Sequence, residues 1–173
     1  MTSAKESTRS VLKVGRTTTG YVVRIEGRGS VHESPGLKAL ALEALDASPA
    51  TDLTVDLSDC EYLDSTFLGC LVGLHSRFNA RSSDRRLRVA GSDEGLERLF
   101  GPTGLERILP RHEGGSSDVQ TWLNVPAAEL DRAELGRHLI ECHRRLAEVG
   151  GPEAGTFTAI ADQIERELEH DRR

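Results

Sequence analysis

Residues 53–79 read LTVDLSDCEYLDSTFLGCLVGLHSRFN, and their apolar pattern changes period once, near the middle. Leu53, Val55 and Leu57 alternate with Thr54, Asp56 and Ser58, the period of a strand with one buried face. From Phe67 onward, Phe67, Leu68, Leu71, Val72, Leu74, His75 and Phe78 recur at spacings of three and four, which puts most of them on one helical face. The strand is therefore predicted to end near Leu57 and the helix to start close to Asp64. Asp64, Ser65 and Thr66 can accept hydrogen bonds from the unpaired N–H groups of a first helical turn. Two hydroxyls are thus expected at an exposed helix start, and that junction is where function is expected.

The run VDLSDCEYLDSTFLGCLVGLHSRF, residues 55–78, resembles the central motif of STAS domains, specifically those of anti-sigma-factor antagonists. The shared pattern is strand, Asp-Ser, helix. In that family the Ser directly after the Asp is phosphorylated by a partner that is both anti-sigma factor and kinase, and the aligned residue here is Ser65, with Thr66 as second choice. Leu68-Gly69 matches the Leu-Gly that follows, while Phe67 stands where better-known members have Gly. The resemblance implies a partner surface made of Asp64, Ser65, Thr66, Phe67, Leu68 and Gly69.

Outward on the N-terminal side, Ser34-Pro35 is a strong helix start, Ser as cap and Pro at the first helical position, where its missing N–H is harmless. Leu37, Leu40, Ala41, Ala44 and Leu45 form its apolar stripe, and Ser48-Pro49 stops it. Val11 to Val14 and Tyr21 to Ile25 read as two strands of a hairpin joined by a polar stretch ending in Gly20. Residues 1–10 are small, polar and aperiodic, as in a frayed terminus. Outward on the other side, Leu87 to Ala90 is a short strand and Ser92 caps a brief helix carrying Leu96, Leu99 and Phe100, ended by Gly101-Pro102. Leu105 to Leu109 is expected to supply a last strand. The resulting ββαβαβαβ order over residues 11–112 is the one that the STAS resemblance implies.

Residues 113–122, with Gly114-Gly115-Ser116-Ser117, read as a linker. In 123–173 the pattern changes class: Leu135, Leu139, Cys142, Leu146 and Val149 form one helical stripe, and Phe157, Ile160, Ala161, Ile164 and Leu168 a second, with Gly150-Gly151-Pro152 between them. An αα-hairpin is predicted. Two helices bury little by themselves, so it should pack on the main domain, on a partner or on its own copy.

Composition narrows the functional classes. A chain of 173 residues holds one ordinary domain and an appendage, and a net charge of −6 with both signs interspersed gives no field for nucleic acid or anionic membrane. The 3 cysteines form no CxxC pair, no apolar run approaches the roughly 20 residues that span a bilayer, and the start lacks a signal peptide's apolar core. A soluble, cytoplasmic protein is expected. Gly27-Arg28-Gly29-Ser30 lacks the Gly-Lys-Ser/Thr ending of a phosphate loop. His138, Cys142 and His143 offer soft ligands on one helix but without a paired-His spacing and third group, and no metal or cofactor is assigned. Asp56, Asp59, Glu61 and Asp64 read as solvated loop acids and one helix cap. Gly69 and Gly73 are read as packing against the chain's own sheet, the alternative being close approach of another backbone.

The sequence thus predicts an α/β fold, a STAS-like mixed β-sheet flanked by α-helices plus a C-terminal αα-hairpin, and no enzyme. By resemblance it is an anti-sigma-factor antagonist that binds an anti-sigma factor and serine kinase while Ser65 is free, loses that affinity on phosphorylation, and is restored by a phosphatase. The alternatives are a STAS scaffold that is never phosphorylated, assembling into a homo-oligomer through the hairpin, and a small-ligand sensor.

Overall fold

Strands Val11–Arg16 (β1) and Gly20–Gly29 (β2) pair antiparallel, with Val14 opposite Val23. Their turn is closed locally: the Thr17 N–H donates to the Gly20 carbonyl at 2.9 Å, and its Oγ1 accepts the Gly20 N–H at 3.0 Å. This is a computed structural model that describes residues 10–47, 51–81, 86–112 and 118–171. The expected frayed start, the Ser48-Pro49 stop and the Gly-Ser core of the expected linker lie outside them. After β2 come the helix Ser34–Asp46 (α1), strands Asp52–Asp56 (β3) and Cys60–Leu63 (β4), and the helix Ser65–Arg81 (α2). Strand Leu87–Ala90 (β5), helix Asp93–Phe100 (α3), strand Trp122–Asn124 (β6) and helices Arg132–Val149 (α4) and Ala154–His170 (α5) follow.

The sheet runs β5-β3-β2-β1-β6, with β4 set on the far end of β2. β2 pairs parallel with β3, and β3 with β5, while β1 pairs antiparallel with β2 and β6, so the sheet is mixed. Parallel neighbours need crossovers, which α1 and the β4–α2 segment supply. Val23, Ile25, Leu53, Val55, Leu87 and Val89 of the strands are fully buried in one cluster with Leu37 of α1 and Leu71 and Phe78 of α2. The same cluster takes in Cys142 and Leu146 of α4. The predicted α/β architecture and its C-terminal hairpin are both present, and the hairpin docks on the chain itself, α4 against α2 and α5 against α4.

Several elements differ from expectation. Leu105 to Leu109 forms no strand: Leu105–Arg107 is a 3-10 turn that buries Leu105 and Leu109. Those two leucines are four apart, a helical spacing, and sheet contact there is a single parallel bridge between Val89 and Arg111. β6 falls where a linker was expected to meet the hairpin, and it lengthens the sheet beyond β1. Ser34 does not cap α1. Its neighbour Glu33 holds the cap position with its carboxylate turned back to Ser30 and no bond to the first helical turn, and the buried Ser34 hydroxyl turns to His138 of α4 at 2.8 Å. Ser92 caps α3 as read, accepting the Gly95 N–H at 3.1 Å. Among the described residues no helix is long and apolar enough to cross a membrane.

Candidate functional site

The strand-to-helix junction is built by Asp64. Its Oδ1 accepts the Phe67 N–H at 2.8 Å and its carbonyl the Leu68 N–H at 3.0 Å, the bonds of a cap one residue before α2. Its other carboxylate oxygen accepts the Val31 N–H at 2.9 Å, and its own N–H donates to the Gly29 carbonyl at 3.0 Å. Asp64 therefore ties the end of β2 and the following loop to the start of α2, and Ser65 is fixed in the first turn.

The expected exposure is not observed. Ser65 is half-buried and Thr66, Phe67, Leu68 and Gly69 are buried. At Ser65 and Gly69 the cause is α4, which lies across this end of α2. Ser65 Oγ is 3.1 Å from His143 Nε2, and His143 Nδ1 is 2.8 Å from the Leu139 carbonyl. Because a carbonyl only accepts, Nδ1 carries a proton and donates it to Leu139, and Nε2 is the ring atom that meets the Ser65 hydroxyl. Phe67 is wholly inaccessible, its ring set over Gly29 of β2, where a Cβ would come within 3.0 Å of it. Phe67 is thus an inward-packing residue. The open side of Ser65 faces a cleft of about 410 Å³ lined also by Tyr62, Leu68, Phe100, Pro102 and Phe157.

Close contact of the helices depends on Gly69. A Cβ there would lie 2.0 Å from the Cys142 carbonyl oxygen, so the backbone of α4 comes directly against α2. Gly69 thus admits another helix, the alternative to packing on the chain's own sheet, while a Cβ at Gly73 would meet only Arg145 Cγ at 3.4 Å. Around this seam Glu141 accepts hydrogen bonds from Lys38 of α1 at 2.5 Å and Arg77 of α2 at 2.8 Å. Burial pushes the Glu141 carboxyl up, but the two cations outweigh it and hold it below the usual carboxylate range. Beneath the seam, Cys142 is lowered to about 6 by its hydrogen bond with Cys70 and by His138, and Cys70 is raised well above an ordinary thiol by the same contact and by burial.

Of the acids near the strand end, Asp56 is not solvated: it is 2 % exposed, paired with Arg24 at 3.0 Å, and accepts the Ser58 N–H. Sequence reasoning put Asp64 and Ser65 at the helix start and did not find His143 beside Ser65 or Cys70 beside Cys142. The usable signals were Gly69 and Gly73, which mark a close helix approach, and the spacing of His138 and Cys142, four apart on one face.

Residues 12–110 match the family described as Mlab, STAS domain. The anti-sigma-B factor antagonist of Staphylococcus epidermidis is 33% identical over 94 residues, 54% of this chain and 84% of that protein. The protein of the same name from Staphylococcus aureus (strain NCTC 8325 / PS 47) is 32% identical over 94 residues, with the same shares. A solved structure of an anti-sigma factor antagonist from Mycobacterium paratuberculosis aligns over 68% of this chain and 95% of its own, with TM-score 0.49 and 22% identity. The family match ends before β6 and before α4 and α5, the two helices that border the junction.

Proposed function

Because the chain belongs to the STAS domain family, we propose that it is an anti-sigma-factor antagonist, a binding protein that engages an anti-sigma serine kinase and thereby releases a sigma factor. The observation that carries this reading is the placement of Ser65 directly after the capping Asp64, in the first turn of α2. A phosphate on Ser65 meets the free N–H groups and positive end of that helix, so the fold tolerates it. It also adds a charge of about −1.5 to −2, which repels an acidic or apolar partner surface. Binding is then switched without unfolding, and a phosphatase resets it. Thr66 is a poor competitor, since it is 4% exposed.

The docked hairpin adds a gate. The Ser65 hydroxyl is engaged by His143, and a partner that docks on the start of α2 needs the face on which α4 lies. The kinase and the partner therefore meet a form in which α4 has moved aside. Assembly through the hairpin plays no part in this reading, since α4 places Cys142 and Leu146 against its own chain.

The test is affinity capture with the full-length chain as wild type, Ser65→Ala and Ser65→Asp, followed by phosphosite mapping with the captured or co-encoded kinase. Wild type and Ser65→Ala should retain a kinase-type anti-sigma factor and Ser65→Asp should lose it, with phosphate on Ser65. Partner binding unaffected by Ser65→Asp, or phosphate on Thr66 with Ser65 untouched, rejects the mechanism.

A further inference from the structure

Three soft donors converge beneath the α2–α4 seam. Cys70 comes from α2, His138 and Cys142 from successive turns of α4, all are buried, and their ligand atoms lie within 4.8 Å of one another. His138 Nε2 is 2.8 Å from the buried Ser34 hydroxyl, and Cys142 Sγ flanks the ring, 3.7 Å from Nε2 and 3.9 Å from Nδ1, so Nδ1 is the nitrogen left for an ion. Metal-binding histidines are held in just this way, one nitrogen on the ion and the other on an outer partner. An ion sits about 2.3 Å from a thiolate sulfur and about 2.0–2.1 Å from an imidazole nitrogen, so donors about 120° apart are separated by about 3.8 Å. The separation of 3.9 Å between Cys142 Sγ and His138 Nδ1 has that length, and all three ligand atoms lie within 4.8 Å of one another.

We propose that Cys70, His138 and Cys142 form a copper(I) site that joins α2 to α4. Two thiolates and an imidazole are a soft donor set, which selects copper(I) or zinc, and structural zinc takes four protein ligands where three converge here. The space beside the sulfurs, between Lys38, Gly69 and Glu141, is about 10 Å³, at the lower limit for a single water, and so leaves little room for the fourth ligand that zinc takes. Binding is ligand exchange: copper(I) replaces up to two thiol protons, which leave to solvent, and no electron is transferred. A buried cysteine alone is commonly a small apolar side chain. Here a second sulfur and a pre-oriented histidine share its cavity. The inference is independent of the role of Ser65.

The experiment titrates the reduced, full-length protein with copper(I) under anaerobic conditions against a chromophoric copper(I) chelator, with zinc as comparator. One copper per chain is expected, with stoichiometric retention lost in Cys70→Ser and Cys142→Ser and kept in Cys60→Ser. Ser34→Ala should weaken binding about tenfold or more through the outer partner of His138. X-ray absorption of copper-loaded wild type needs no variant and should report two sulfur neighbours and one nitrogen. Failure to hold copper against the chelator, equal retention by Cys142→Ser, preference for zinc, or a copper shell without two sulfurs overturns the site.

Discussion

Glycine 69 is the position at which one added carbon has the largest expected effect. A Cβ would meet the Cys142 carbonyl carbon at 2.5 Å and its oxygen at 2.0 Å, both backbone, so Gly69→Ala should lift α4 from α2 while the α/β part stays folded. Hydrogen exchange should show fast amides throughout α4 and α5 in that variant. Gly73→Ala is the control, since its Cβ meets only Arg145 Cγ at 3.4 Å, and the gain in helix propensity should stabilise the protein by up to about 1 kcal/mol. Phe67→Ala removes a fully buried ring and should cost about 3–5 kcal/mol in denaturant unfolding. His75 supplies a pH test. Burial lowers its pKa, and its Nδ1 is buried without a hydrogen-bond partner. A histidine depressed in the folded state contributes stability that is fully present above its unfolded value of about 6.5 and is lost as pH falls through the lower folded value. Stability should therefore drop below about pH 6.5, and His75→Gln should flatten that slope.

Among the elements, α4 is held by two kinds of contact of unequal strength. The Glu141 pairs with Lys38 and Arg77 are partly exposed, and Glu141→Gln should cost no more than about 1 kcal/mol, read as a small rise in α4 exchange rates. The seam at Gly69 and the buried Leu146 matter more, so Leu146→Ala should cost about 2–5 kcal/mol. The stripes of α1, α2, α4 and α5 were legible because each helix buries one face at a regular period. β4 was not, because it buries Cys60 and Leu63 and exposes Glu61 and Tyr62, a pattern with no period of two, beside a register shift in β2. β6 is three residues long and exists only by pairing with β1. At the site, Asp64 and Ser65 were legible through local capping chemistry. The cover over Ser65 was not, since His143 is 78 residues further along the chain and only the Gly69 and Gly73 spacing hinted that a helix would arrive.

At the scale of the whole molecule, the seven residues 125–131 link β6, part of the sheet, to α4, part of the cover. A chain ending at Asn124 keeps β6 on β1, and it should melt cooperatively at a lower temperature than the full chain while its Ser65 is phosphorylated faster. A chain ending at His112 also removes β6 from β1, which stays paired with β2, and loss of any cooperative transition there would make the later segments part of the core. The shortness of the connection has a further consequence. A tethered segment faces its site at an effective concentration in the millimolar range, whatever the protein concentration in the cell. An outside partner that needs the same face competes with this built-in rival, and its apparent Kd rises by the inverse of the fraction of molecules found open. If about one molecule in a hundred is open, a nanomolar contact is measured as about 100 nM, and any change that loosens α4 tightens the partner without touching a single atom of their interface.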